Sequence, residues 1–179
     1  MDYTDFEKSL IAIFYRLLPI KGDISVSKID FQNGRSYLVG VGMLGDESDP
    51  IKVVFSIPRK GGESYFIICD GDGSELSREI AGLQKHNEEI ARLFLHHTIP
   101  TENAYVKNAG WSGYLISLPN VAWTDFPRSA NLQEREVKFW LAMPISDADR
   151  QIKIELGVDA LMEKYQNEGR QLFTFNRPA

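Results

Sequence analysis

The hydrophobic pattern at the start of the chain has a helical period. Apolar side chains recur on one face of residues 4–18, and Thr4 with Glu7 has the spacing of a capping box. Pro19 and Gly22 follow and are typical of the end of a helix. The sequence therefore predicts an opening amphipathic helix over this segment.

The next three apolar segments have the pattern of β-strands. RSYLVGVGML at 35–44 and IKVVFSI at 51–57 alternate with a period of two, whereas SYFIICD at 64–70 is apolar on both faces. The last segment is therefore predicted to be a central strand. Gly40 and Gly42 lie inside the first strand, which indicates that another group packs closely on that face.

A helical period returns from Ser74 to His97. The buried positions predicted for it are Leu76, Ile80, Leu83, Ile90 and Phe94. A polar HNE sequence at 86–88 interrupts this stripe. We therefore expect two helices here, with Asn87 capping the second.

The second half of the chain adds two strands and a final helical region. GYLISLP at 113–119 and EVKFWLAM at 136–143 are predicted strands, and a long loop at 120–133 joins them. Ser146 and Asp149 have capping-box spacing, and Gly157 is expected to break or bend the helix that follows.

Helices and strands are thus mixed without a regular βαβ repeat. The fold class that this order predicts is α+β, with a mixed, mainly antiparallel β-sheet covered by helices. The 179 residues fit one domain, 1–179, because no linker, repeat or low-complexity tract divides the chain.

Composition narrows the classes of function. A formal net charge of -5 with no basic stripe argues against a nucleic-acid partner. No apolar run reaches membrane-spanning length, and the amino terminus MDYTDFEKSL lacks the basic start of a signal peptide. One cysteine, Cys69, excludes a disulfide framework. We therefore expect a soluble protein of the reducing cytoplasm, a monomer or weak dimer that does not bind membranes.

CDGDGSE at 69–75 resembles a calcium-binding loop but lacks two of its ligands. With Gly73 at the turn position, Asp70, Asp72 and Glu79 match ligand positions of an EF-hand loop. The first and ninth positions fall on Ile68 and Leu76, which offer no side-chain oxygen. We therefore expect a strand-to-helix turn with an N-cap at Asp72 or Ser74, and no metal or other cofactor.

No catalytic motif stands out in the sequence. His96 and His97 are adjacent, so on a helix they would point about 100° apart and could not chelate one metal together. Cys69 lies in an apolar strand, where cysteine is usually a small buried hydrophobe. The chain is thus predicted not to be an enzyme. The alternative is a small hydrolase using His97 with Asp70 or Glu79.

Aromatic residues in polar loops are the candidate partner-binding residues. Trp111, Trp123 and Phe126 lie among Asn, Asp and Arg, a composition found at protein interfaces. The alternative for Trp123 and Phe126 is that their rings cover the open side of the sheet.

The last third of the chain resembles the Suppressor of fused domain family in its bacterial, single-domain form. The resemblance rests on HTIP at 97–100, SGYLISLP at 112–119, REVKFWLAMPISDADRQIKIELGVDALMEKY at 135–165 and NRP at 176–178. It is general before residue 90. The family often has a tryptophan-containing segment after the strand that ends here at Pro58, whereas this chain has CDGDGSE nearby.

The resemblance implies a non-catalytic protein-binding module. The animal regulator of the family sequesters transcription factors, and the bacterial members resemble immunity proteins that neutralise polymorphic toxins by binding them. The segment after the strand matching GYLISLP helps the regulator to hold a peptide, which points to Trp123, Asp125 and Phe126 here. A regulatory scaffold that adds a partner peptide to an open sheet edge beside the 120–132 loop is the other possibility.

Overall fold

The computed structural model describes residues 2–45, 48, 50–59, 62–121, 124–170 and 175. Its helices, in chain order, are α1 (Asp5–Leu17), α2 (Gly73–Glu89), α3 (Ala104–Asn108), α4 (Asp147–Leu156) and α5 (Val158–Asn167). Its strands are β1 (Lys21–Asp30), β2 (Ser36–Met43), β3 (Lys52–Ile57), β4 (Gly62–Cys69), β5 (Thr98–Pro100), β6 (Gly113–Ser117), β7 (Ser129–Leu132) and β8 (Arg135–Ile145).

The strands form one sheet in the order β1-β2-β3-β4-β8-β6-β5, and β7 pairs with β8 next to β6. The pairing of β4 with β8 is parallel, whereas the other pairings described are antiparallel. This confirms the predicted α+β class and the mixed, mainly antiparallel sheet. In the part of the chain that the structure describes, β1, β5 and β7 each have an unpaired edge.

Helices α1 and α5 cover one face of the sheet. The ring of Phe14 lies at the centre of this side, stacked on Phe55 with a centroid distance of 3.9 Å and close to Phe66, Phe126 and Phe139. The apolar face of α1 that the sequence predicts is the face that packs here. The predicted capping box is also present, since the Thr4 and Glu7 side chains each accept a hydrogen bond from the other residue's backbone N–H.

Helix α2 covers the opposite face. Leu76, Ile80 and Leu83 pack there on residues of the central strands such as Tyr65 and Ile67. Burial raises the pKa of the Cys69 thiol on this face to about 12. The thiol is therefore protonated at neutral pH, which agrees with its predicted role as a small buried hydrophobe.

The region after the CDGDGSE turn differs partly from the prediction. Asp72 is the N-cap of α2, and its carboxylate accepts hydrogen bonds from the backbone N–H groups of Ser74 and Glu75, which confirms the helix start. The prediction of a second helix capped by Asn87 is wrong. Helix α2 ends at Glu89, and the Asn87 side chain accepts the Leu93 backbone N–H and donates to Glu63, so it fixes the chain leaving the helix.

Other boundaries agree more closely. Ser146 and Asp149 form the predicted capping box at the start of α4, and Gly157, with φ of 91°, separates α4 from α5. Strands β1, β5 and β7 and helix α3 lie in segments with no predicted element. Within the described residues, no helix has both the length and the apolar character needed to cross a membrane.

Candidate functional site

A cleft of about 240 Å³ opens between helix α2 and the short edge strand β5. Glu79, Gly82 and His86 line it from α2, and residues 99–102 line it from β5 and the chain that follows. Phe31 and Tyr114 contribute to the remaining walls. We call this site the β5 cleft.

Helical spacing explains how α2 contributes several side chains to one wall. Glu79, Gly82 and His86 are three and four residues apart, so they lie on the same face of the helix. This face is adjacent to the stripe that packs on the sheet. An added Cβ at Gly82 would meet nothing within 4 Å, so the glycine leaves open space in the cleft wall.

The opposite wall depends on a close backbone approach. Strand β5 pairs with β6 with Pro100 opposite Gly113. An added Cβ at Gly113 would lie 2.3 Å from the backbone oxygen of Ile99, so a larger residue would push the two strands apart. Glycine at this position therefore holds β5 against the sheet and keeps the cleft at its observed width.

Glu79 is the carboxylate of the cleft that has no cationic partner in the described residues. One of its oxygens, Oε2, accepts a hydrogen bond of 2.6 Å from the hydroxyl of the buried Thr101. The other charged groups of the cleft are engaged elsewhere. Glu102 pairs with Lys107 at 2.5 Å, and the Lys85 ammonium lies 5.0 Å from the centre of the Phe31 ring. The cleft thus presents an uncompensated negative charge at Glu79.

Tyr114 places a buried hydroxyl beside this carboxylate. The residue is 1% exposed, and its hydroxyl has no hydrogen-bond partner of normal geometry. Burial, then the charge of the nearby Glu79 carboxylate and a hydrogen bond to it, raise the pKa of Tyr114 well above its usual value. The hydroxyl therefore stays protonated at neutral pH and can donate to the Glu79 carboxylate.

Two exposed apolar side chains lie at the end of α2 and in the segment that follows it. Ile90, at the end of α2, is a lining residue and is 69% exposed, and Phe94 in the following segment is 50% exposed. We call Ile90 and Phe94 the apolar rim. The sequence analysis assigned both to a buried helical stripe, and that assignment is wrong because the helix ends before the stripe does.

The segment that carries Phe94 is fixed to the protein at both ends. Leu93 is held by Asn87, and the backbone N–H of His96 donates to Ile116 at 2.7 Å. His96 has a φ of 67°, an uncommon conformation for a residue other than glycine. The ring of His97 packs edge-on against Phe94 at a centroid distance of 5.3 Å. The exposure of Phe94 is thus a property of a well-held turn.

The structure does not assemble the hydrolase site weighed in the sequence analysis. The His97 ring contacts Phe94, Asp70 accepts the backbone N–H of Phe175 at 2.6 Å, and Glu79 accepts from Thr101. No hydrogen bond joins His97 to either carboxylate among the described residues. Nor do the described residues contain a group of three His, Cys, Asp or Glu side chains placed to hold a metal ion.

Comparison with family models and with curated protein sequences finds no match. Solved structures do match over almost the whole chain. A protein from Neisseria gonorrhoeae named as a homologue of SUFU (suppressor of fused protein) superposes with a TM-score of 0.73 at 20% identity, covering 100% of this chain and 97% of the other. The chain has the Suppressor of fused fold.

Two further structures of Suppressor of fused proteins agree. A structure of the complex of Sufu with Fu matches with a TM-score of 0.70 at 8% identity, covering 98% of this chain and 91% of the other. Drosophila Suppressor of Fused matches with a TM-score of 0.60 at 10% identity, and 98% of this chain spans 50% of the Drosophila protein. The resemblance found in the last third of the sequence is therefore confirmed by a fold that matches over almost the whole chain.

The residues predicted to bind a partner occupy different environments in this Suppressor of fused fold. Trp111 is 3% exposed, and its indole N–H donates to the backbone oxygen of Phe175. Phe126 is 6% exposed within the ring cluster around Phe14, as expected if it covers the sheet. Asp125 is exposed, and Trp123 lies outside the described residues. Partner binding by these four residues stays a prediction. The burial of Trp111 and Phe126 gives their rings a packing role.

Sequence reasoning did not identify the β5 cleft as a site. Glu79 was considered as a calcium ligand or as a catalytic carboxylate, and Tyr114 was part of a strand pattern. One feature of the sequence pointed to the cleft, namely Gly82 in the interior of a helical segment, where glycine costs about 1 kcal/mol relative to alanine.

Proposed function

We propose that this chain is a cytoplasmic protein-binding module that acts as an immunity protein, neutralising a cognate toxin by direct binding. The Suppressor of fused fold supports the binding part of this proposal, since one of the matching structures is a complex of Sufu with a protein partner. The immunity part rests on the resemblance of the last third of the chain to the bacterial members of that family.

The observation that carries the proposal is the apolar rim, of which Ile90 lines the β5 cleft. Exposed large apolar side chains next to polar groups are typical of surfaces that bind another protein. Ile90 and Phe94 provide the apolar contact, while Glu79, which has no cationic partner in the described residues, provides a polar group for specificity.

The test is co-expression with the product of the neighbouring gene. We expect the tagged chain to retain that product through affinity purification and gel filtration, and to restore growth of cells that express it. If the neighbour encodes no toxin domain and no partner is retained, the immunity proposal fails.

A matched pair of double variants locates the surface. Ile90→Ser with Phe94→Ser removes the apolar rim, whereas Ile154→Ser with Leu156→Ser removes a similar exposed pair on α4, where the exposures are 62% and 69%. We expect the first variant to lose the partner and the second to keep it. The reverse result would place the binding surface on α4.

A second candidate is a scaffold that binds a partner strand at the edge of β7, beside the 120–132 loop. The backbone N–H of Phe139 donates to Arg128, and antiparallel pairs alternate between bonded and non-bonded, so Ser129 and Asn131 direct their backbone groups away from β8. Asn131→Pro removes an outward donor and leaves the bonds between β7 and β8 in place. Loss of the partner in this variant would favour strand addition over the β5 cleft, and Asp125→Ala tests the adjacent predicted contact.

A further inference from the structure

Phe175 is held by residues from three separate segments of the fold. Its ring is fully buried and stacks on Tyr105 of α3, with a centroid distance of 5.3 Å and 8° between the planes. Its backbone N–H donates to Asp70 Oδ1 at 2.6 Å, and its backbone oxygen accepts the indole N–H of Trp111 at 2.6 Å. We call Asp70, Gly71, Tyr105 and Trp111 the Phe175 socket.

Gly71 leaves the space that the ring occupies. An added Cβ there would lie 3.1 Å from Phe175 Cγ and 2.9 Å from Leu76 Cδ1, so a larger residue would crowd both side chains. The CDGDGSE turn thus supplies two parts of the socket, the Asp70 carboxylate for the backbone and the gap at Gly71 for the ring.

Hydrogen bonds that do not involve its occupant hold the socket together. The Tyr105 hydroxyl accepts the backbone N–H of Asp72 at 2.6 Å, and Asn103 donates to Glu75 at 3.1 Å, so α3 is tied to the start of α2. The backbone N–H of Trp111 donates back to α3. A site whose parts are fixed in advance loses little conformational freedom when it binds a ligand.

The backbone contacts of Phe175 are those of a bound peptide. Phe175 lies in neither a helix nor a strand, so neighbouring backbone does not bond it as it would in a regular element. Side chains from distant parts of the sequence bond its N–H and its carbonyl oxygen instead, while a pocket takes the ring. Peptide-binding domains use the same two contacts, main-chain hydrogen bonds for affinity and a pocket for specificity.

We infer that the Phe175 socket is a peptide-recognition site, filled in the free chain by Phe175, where a phenylalanine in an extended segment of the protein partner takes its place. The inference rests on the proposed protein-binding function and names the feature that the partner presents. The partner's backbone N–H donates to Asp70, its carbonyl oxygen accepts from Trp111, and its ring stacks on Tyr105.

The probe is a synthetic peptide with the sequence of residues 171–179, QLFTFNRPA, and the control peptide has alanine in place of Phe175. Each is titrated into the ¹⁵N-labelled chain and into its Phe175→Ala variant. A segment of the same chain competes at a local concentration on the order of millimolar, so we expect the variant to bind the probe at least about tenfold more tightly than the original chain does. The amides of Gly71 and Tyr105 should shift, and the control peptide should bind about tenfold more weakly or not at all.

Two tryptophan variants test the backbone contact. In the Phe175→Ala background, Trp111→Phe keeps a ring but removes the N–H that reaches the peptide backbone, and we expect affinity for the probe to fall about tenfold. Trp140→Phe is the matched control, since its indole N–H makes no hydrogen bond in the described residues and it lies on the same side of the sheet. It should bind the probe as the Phe175→Ala chain does.

Amide hydrogen exchange of the original chain tests the same inference without a variant. If the segment leaves the socket while the rest of the chain stays folded, the Phe175 amide should be protected at least about tenfold less than that of Val54 in the middle of β3. Equal protection would show that Phe175 leaves only on global unfolding, and would overturn the inference.

Other results would also overturn it. These are a folded Phe175→Ala chain that does not bind the probe, equal binding of the control peptide, or unchanged affinity in Trp111→Phe. A dimer that Phe175→Ala abolishes would assign the socket to a second copy of the chain and not to a partner. If Trp111→Phe retains the co-expressed partner as the original chain does, the socket assignment fails and the binding module stands. If the probe binds but no partner is retained, the immunity proposal fails and the socket stands as a peptide site.

Discussion

Gly40 in the centre of β2 allows the sharpest prediction about the core. It lies opposite Phe55 of β3, and an added Cβ would be 2.3 Å from Phe55 Cζ and 2.7 and 2.8 Å from the two Cε atoms. The ring cannot move back, because Phe14 stacks on it at 3.9 Å with an angle of 12° between the planes. Gly40→Ala therefore forces displacement of both rings.

The size of the effect follows from two opposing contributions. Forcing an extra carbon into a well-packed core costs about 1–3 kcal/mol, and the upper end applies here because the ring is held on its other side. Alanine in a strand recovers about 0.5–1 kcal/mol of the conformational cost of glycine. We expect a net loss of about 2 kcal/mol in the free energy of unfolding, with a fall in Tm of about 4–8 °C.

Urea denaturation followed by tryptophan fluorescence measures this loss. Gly42→Ala is the matched control, because its added Cβ would meet the flexible, partly exposed side chain of Ile20 at 3.0 Å, and we expect a loss below about 1 kcal/mol. Phe55→Leu should partly restore stability in the Gly40→Ala background. The reasoning is refuted if Gly40→Ala is no less stable than Gly42→Ala.

Three further changes test other parts of the structure. Gly82→Ala should raise the free energy of unfolding by about 1 kcal/mol, measured by thermal melting, since its methyl group meets nothing; a loss would contradict the open wall of the cleft. Replacing Gln133 and Glu134 by Asn and Gly should stabilise the chain by about 1 kcal/mol in urea, because both residues have positive φ, 49° and 61°, in the turn between β7 and β8. Asp149→Ala should cost about 2 kcal/mol at pH 7, and the exposed Asp147→Ala less than about 1 kcal/mol. Burial opposes ionisation of Asp149, but hydrogen bonds from Ser146 and Lys164 lower its pKa overall, so its contribution is present above the unfolded pKa of about 3.9 and is lost as pH falls through the lower folded value. A difference between the two Asp variants that does not shrink as pH falls below about 3.9 would refute this.

The strands that the sequence predicts are those with a buried face. In β8, Val137, Phe139 and Leu141 alternate and lie on the face of the sheet that α1 and α5 cover. Strand β4 is apolar on both sides because helices cover both faces of the sheet at its position. Strand β1 has no such pattern. It lies at the sheet edge with mostly exposed side chains, so its polar sequence resembles that of a loop.

The end of α2 shows a different limit of sequence reasoning. Apolar residues at 90 and 94 continue the helical period, and a buried helix is the simplest interpretation of that period. Tertiary hydrogen bonds end the helix, because the Asn87 side chain donates to Glu63 on β4 and accepts the backbone N–H of Leu93. Such bonds across the fold are not visible in local spacing, so the exposure of Phe94 could not be predicted.

The β5 cleft is where several local rules are broken together. Gly82 weakens the helix, the Tyr114 hydroxyl is buried beside the Glu79 carboxylate, and Ile90 and Phe94 expose apolar surface. Any one of these alone has an ordinary explanation. Sequences that fold well satisfy propensity, polar pairing and burial at the same time, and departures from these rules concentrate where function requires them. Gly82 in α2, Ile90 at its end and Tyr114 in β6 line one cleft beside the open edge of β5. Their coincidence in space, which no segment of the sequence contains by itself, is the reason for assigning function to this side of the fold.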